Sequence, residues 1–160
     1  MLLFELVDAF QSKKIKFAIV GGYALALQGL VRSTVDIDVV LSLKFSDFRN
    51  AEIALKEIGL VSRVPVRAQD VISMREEFIQ KRNLIAWSFV DYDDPGRQVD
   101  IIITEELKDL KIKTISVGTR KIPVATFEEL IRMKTISGRP QDLVDIENIR
   151  ERLSGKKNKK

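Results

Sequence analysis

The stretch Thr34-Val-Asp-Ile-Asp-Val-Val-Leu41 has the apolar content of a buried β-strand but carries two aspartates. Strand side chains alternate faces, so Asp36 and Asp38 point one way while Ile37 and Val39 point the other. A second apolar run, Gln98-Val-Asp-Ile-Ile-Ile103, is interrupted in the same manner by Asp100. Crowding carboxylates costs free energy, through desolvation and mutual repulsion, unless a cation or a paired base offsets it. Upstream, Phe17-Ala-Ile-Val20 is a short strand running into Gly21-Gly22, which opens a helical segment. Glycines at that position let the backbone approach a phosphate closely. One D-x-D alone also fits an edge strand facing water. The glycines and the third strand aspartate turn the balance towards a metal-dependent nucleotide site.

What is missing narrows the chemistry. The chain has 160 residues with neither cysteine nor histidine, which excludes disulfides, thiol nucleophiles, imidazole-ligated zinc or iron, and histidine triads. A metal would be held mostly by oxygen, which favours Mg2+, with Mn2+ an alternative. The formal charge is +4, yet four lysines fall within the last five residues, so the body is balanced. That balance, with no zinc finger and no aromatic–basic interleaving, argues against a dedicated nucleic-acid module. No apolar run is long enough to span a bilayer and no cleavable leader is evident, so a cytoplasmic protein without membrane association is expected.

Hydrophobic spacing predicts a helix over Leu2 to Lys13 and a strand over Lys16 to Val20. A helix follows from Tyr23 to Gln28, and another has Phe48, Ala51, Leu55 and Ile58 inward. Val61 to Val66 reads as an edge strand because of Pro65, and Asp70 to Gln80 as helical. Asn83 to Asp91 and Arg97 to Thr104 form an antiparallel pair about Asp93-Asp-Pro-Gly96, a turn whose carboxylates lack calcium-loop spacing. Ile112 to Val117 and Lys121 to Val124 make a second hairpin. Thr126 and Glu129 suggest a capping box ahead of a helix with Leu130, Ile131 and Met133 inward. A last helix, Gln141 to Leu153, is expected to bury Leu143, Ile146, Ile149 and Leu153. The expectation is an α+β (α/β-like) fold: one domain, residues 1–153, with a mixed sheet, packed helices and a C-terminal helical segment. Residues 154–160 are expected to be a flexible Lys-rich tail.

Gly21-Gly22, Ala24, Gly29, Arg32-Ser-Thr34, Asp36-Ile-Asp38 and the later Asp100 together resemble the nucleotidyltransferase superfamily typified by DNA polymerase beta. The likeness is closest to the minimal nucleotidyltransferases and the AbiEii-like toxin branch. Glu129-Leu-Ile-Arg-Met-Lys134, Arg139-Pro-Gln-Asp142 and Asp145 extend it over most of the chain. The resemblance implies the nucleotidyltransferase fold, with metal binding and catalysis by Asp36, Asp38 and Asp100. It also implies nucleotide binding by Gly21, Gly22, Arg32, Thr34 and Lys134, with Asp142 and Asp145 in support. Many members carry serine where this chain has Gly22, a departure that bears on subfamily more than on fold.

The activity implied is transfer of a nucleoside monophosphate from a nucleoside triphosphate to a hydroxyl, on an RNA end among other acceptors. The alternative is a non-catalytic nucleotide-binding or toxin–antitoxin component acting through a partner protein. Residue chemistry keeps bland readings in view. Arg32 also fits a solvated surface arginine, Trp87 a core residue rather than a base-stacking one, and Asp142 with Asp145 an ion-pair cluster. Gly22 is expected to resist bulk because phosphate lies against its backbone.

Overall fold

The first amphipathic stretch forms α1 (Leu2–Ser12), burying Leu3, Leu6, Val7 and Phe10 as its spacing requires. The computed structural model describes residues 1–30 and 33–158. After α1 come β1 (Phe17–Val20), α2 (Gly21–Leu27), β2 (Ile37–Leu41), α3 (Phe45–Glu57) and β3 (Val61–Ser62). Two short helices, α4 (Ala68–Ser73) and α5 (Arg75–Arg82), lead to the hairpin of β4 (Ala86–Val90) and β5 (Gln98–Ile102). The chain closes with β6 (Ile112–Val117), β7 (Arg120–Ala125), α6 (Phe127–Ser137) and α7 (Pro140–Asn158).

The strands of the described residues form one mixed sheet in the order β3-β4-β5-β2-β1-β7-β6. β2 runs parallel to β5 and antiparallel to β1, while β1 runs parallel to β7. This is the mixed sheet with packed helices expected from sequence. Ile37, Val39, Trp87, Phe89, Val99 and Ile101 line one face and are fully buried. On that side Phe48 of α3 stacks on Trp87 at 6.1 Å and 7°, and Phe10 of α1 meets Phe17 edge-on at 5.4 Å. Trp87 donates its indole N–H to Ser62 Oγ at 2.9 Å and has no exposed surface. It is a core residue, not a platform for a base.

Four local expectations change. The edge strand shortens to Val61–Ser62, since Pro65 has no N–H to donate and Ser62 Oγ bonds Val64 O at 2.7 Å. The helix expected across Asp70 to Gln80 divides at Met74. The capping box on α6 is half formed. Thr126 Oγ1 accepts from Glu129 N, but Thr126 N donates to Lys111 O, leaving the Glu129 carboxylate to Arg132 and Lys111 N. Finally, α7 runs to Asn158, and its inner stripe is not the apolar one expected: Ile146 and Ile149 are buried, but Leu143 is 58% exposed and Leu153 39%. Asp142 and Asp145 take the inward positions instead.

Candidate active site

β1 delivers the chain to the site at Val20, which pairs with Asp38 on β2. The next residue, Gly21, has φ +66°, a conformation that disfavours side chains. A Cβ there would collide with Asp38 Oδ2, so Gly21 is needed both for its backbone and for the space that Asp38 occupies. Asp38 in turn pairs in parallel register with Asp100 on β5, which sets the two carboxylates side by side on the same face. Asp36 stands in the bend just ahead of β2, near enough to interact electrostatically with both Asp38 and Asp100.

The neighbouring carboxylates act on one another. Burial first, then Asp100 and Asp36, pushes Asp38 up to about 7, against the opposing pull of Lys134 and Arg139. Burial and Asp100 also raise Asp36, with Arg63 pulling the other way. Asp100 Oδ1 accepts from Gln98 Nε2 at 3.0 Å, and Gln98 Oε1 accepts from Arg63 Nη2 at 2.7 Å. Among the described residues no three carboxylates are gathered into a ready-made metal cage. The donors are hard oxygens with surplus negative charge, and they fit magnesium better than a soft metal.

The wall opposite the sheet comes from α6 and α7. Lys134 is nearly buried, and its Nζ donates to Asp145 Oδ2 at 2.8 Å and lies 3.7 Å from Asp142 Oδ1. Asp142 Oδ2 accepts from Arg139 N at 3.1 Å and Arg139 Nε at 2.9 Å, while Gln141 donates to Asp145 Oδ1. A cleft of about 390 Å3 joins this ion cluster to Gly21 and Asp38. Lys134 lines this cleft, and its ammonium is already engaged by Asp145.

Gly22 differs from Gly21. Its φ is not positive, and a Cβ there would sit 2.8 Å from Thr34 Cβ and Oγ1. Thr34 Oγ1 donates to Asp36 O at 3.3 Å, so Gly22 lets α2 press against the segment carrying Asp36. Bulk at Gly22 therefore strains the apo fold, and the expected intolerance does not by itself report phosphate contact. Arg32 lies outside the described residues. Sequence reasoning missed Gln98 and Arg63. The spacing Gln98-Val-Asp100 held the signal for Gln98, because positions two apart on a strand share a face. Arg63 comes from the far strand edge and carried no such signal. The carboxylates of the β4–β5 turn serve the backbone: Asp91 Oδ1 accepts from Asp93 N and Asp94 N, and Asp91 Oδ2 from Arg97.

The profile of one family, nucleotidyl transferase AbiEii toxin, Type IV TA system, matches residues 2–157. The chain belongs to this family. Its mixed sheet with helices packed against it is thus a nucleotidyltransferase fold. No curated protein sequence matches the chain. Among solved structures, ANT(2″)-Ia in complex with adenylyl-2″-tobramycin is similar at TM-score 0.65 and 12% identity, over 98% of this chain and 90% of that one. The lincosamide antibiotic adenylyltransferase LnuA, bound to lincomycin, aligns at TM-score 0.60 and 18% identity, over 93% and 94%. An antigenic nucleotidyltransferase-like protein from Paracoccidioides brasiliensis aligns at TM-score 0.57 and 18% identity, over 90% and 71%. Identities this low carry the fold alone. Among the described residues no helix is long and apolar enough to cross a membrane.

Proposed function

We propose that this AbiEii-family protein is a magnesium-dependent nucleotidyltransferase that moves a nucleoside monophosphate from a nucleoside triphosphate to a hydroxyl acceptor. The observation that carries the reading is the parallel register of Asp38 with Asp100, beside Asp36 and over the bare Cα of Gly21. Asp36, Asp38 and Asp100 would hold Mg2+, with Mn2+ a substitute. Bound there, the metal supplies positive charge that offsets the triphosphate and the charge developing at the reacting oxygens. In the transfer the acceptor oxygen bonds the α-phosphorus, the bond to the bridging oxygen breaks, and pyrophosphate leaves. Asp100 accepts the hydroxyl proton on its carboxylate, which Gln98 orients from one side. Gly21 and Gly22 leave room for phosphate at the start of α2, with Thr34 beside them. Lys134 and Arg139 add positive charge on the α6–α7 wall, held in position by Asp142 and Asp145. Arg32, close in sequence to Asp36, is a further candidate for phosphate. The protein is expected to work in the cytoplasm, with RNA one acceptor class among several.

A second reading is a nucleotide-binding component of a toxin–antitoxin pair that acts through a partner protein. It draws support from the family description. Label transfer from α-phosphate-labelled nucleoside triphosphates to fractionated cell extract separates the two. The enzyme reading expects labelled product with magnesium and none from Asp100→Asn, with nucleotide binding retained in that variant. If the parent binds nucleotide and labels nothing in any fraction, the non-catalytic reading takes its place.

A further inference from the structure

The cleft beside Asp38 is more apolar than phosphate chemistry requires. Ile85, just ahead of β4, and Ile136, in α6, bring large aliphatic side chains to it from the sheet side and the helix side. They are 57% and 74% exposed. Met133 and Ile102, both half-buried, continue the lining. Single exposed isoleucines are common on protein surfaces, but here several aliphatic side chains meet in one cleft that opens onto Asp38.

Most polar groups of the lining are already committed. Glu105 and Arg132 pair with each other, and Lys134 and Arg139 pair with carboxylates of α7. Thr104 is a lining side chain whose hydroxyl has no hydrogen-bond partner among the described residues. No aromatic side chain lines the cleft among the described residues.

We propose that this cleft takes the nucleobase of the nucleoside triphosphate, held by its faces against Ile85, Met133 and Ile136, and accepts purines and pyrimidines with little discrimination. The inference rests on the nucleotidyl-transfer reading and specifies where the substrate's base lies. Lys134 and Arg139 line the same cleft, so the triphosphate belongs on this side of the carboxylates and its nucleoside must lie within reach. Asp36 and Asp100 do not line it, which leaves the acceptor to approach from their side. A nucleobase presents two apolar faces and a polar edge. Aliphatic walls grip the faces of any base alike, and discrimination depends on hydrogen bonds to the edge. A hydroxyl both donates and accepts, so Thr104 can serve different edges without choosing among them.

The test is calorimetry on the full chain with magnesium and non-hydrolysable analogues of ATP, GTP, CTP and UTP, with inorganic triphosphate as the base-free probe. Ile136→Ser and Ile85→Ser alter exposed side chains, and a thermal melt of each checks that the fold is kept. The parent should bind the four nucleotides within about fivefold of one another. Each variant should weaken all four by about tenfold and leave triphosphate binding unchanged. Nucleotides bound equally well by parent and variants would overturn the base assignment, as would variants that weaken triphosphate and nucleotides alike. A parent preference of about a hundredfold for one base would overturn the lack of discrimination. If neither nucleotide nor triphosphate binds the parent, the nucleotidyl-transfer reading fails first and this inference falls with it.

Discussion

At the scale of single residues, the site is organised by Asp38. Its carboxyl is buried against Gly21 and beside Asp100, so the native chain keeps a proton there up to about pH 7. The unfolded chain releases that proton in the ordinary carboxylate range, near 3.8. The native state thus binds more protons between those values, and this group's contribution to stability falls as pH rises through the window. With divalent metal removed, Asp38→Asn should match the parent near pH 4 and melt progressively higher than it up to about pH 7. The ceiling is on the order of 4 kcal/mol. Thermal melts of both proteins across that range are the check, and a constant difference would mean that Asp38 is not strained in the native state. Gly21 offers a second, independent test. Gly21→Ala should cost about 1–2 kcal/mol for its backbone conformation alone, plus the collision with Asp38. Adding Asp38→Ala should recover the collision part and not the backbone part, a coupling that denaturant titrations of the four-member cycle would measure. That Asp36 and Asp38 stand near each other was legible from their spacing. That Gly22 packs on Thr34 was not, because the contact depends on how α2 is tilted against the segment before β2.

At the scale of elements, α6 and α7 are joined by charges that sequence reasoning treated as secondary. Lys134, Asp142 and Asp145 are all nearly buried, and a buried charge stripped of its partner is expensive. Lys134→Met should destabilise the protein by about 3–5 kcal/mol, since it leaves two carboxylates facing an apolar side chain. Combining it with Asp145→Asn should restore part of that loss. Urea denaturation reads both changes, and a single variant as stable as the parent would show that the cluster is solvated in solution. The same cluster explains why the apolar stripe of α7 misled. Leu143, Ile146, Ile149 and Leu153 have helical spacing, and so do Asp142, Asp145 and Ile149. Hydrophobicity ranks the first set as the buried one, but Lys134 on the neighbouring helix draws Asp142 and Asp145 inward beside Ile146 and Ile149, and Leu143 and Leu153 are left exposed. Both hairpins and the strand–glycine–helix unit were readable because their turn residues lie between runs of clear periodicity. The division of α4 from α5 at Met74 had no comparable marker in the sequence.

For the whole molecule, the apolar sheet face and the carboxylate face divide the work. One is sealed by α1 and α3, and the other is closed by α6 and α7 only as far as the cleft. The last helix then continues past its final fully buried residue, Ile149, and Arg152 reaches back to Gly29 O at 3.3 Å. Sequence suggested a separate tail from residue 154, and the helix carries through to Asn158. Nothing after Arg152 is needed for that return contact, so truncation after Ser154 should cost less than about 1 kcal/mol despite the shortened helix. It also removes four of the 27 basic residues and leaves the remaining chain charge-balanced. Attraction to a polyanion should therefore weaken in the truncated protein, and its dependence on salt should flatten. Melting curves and RNA titrations at two salt concentrations, run on both proteins, test the two halves of this expectation separately. A large fall in melting temperature would make residues 155–160 part of the folded unit. Unchanged RNA binding with an unchanged melt would move any contact with an RNA acceptor from the terminus to the cleft-bearing face.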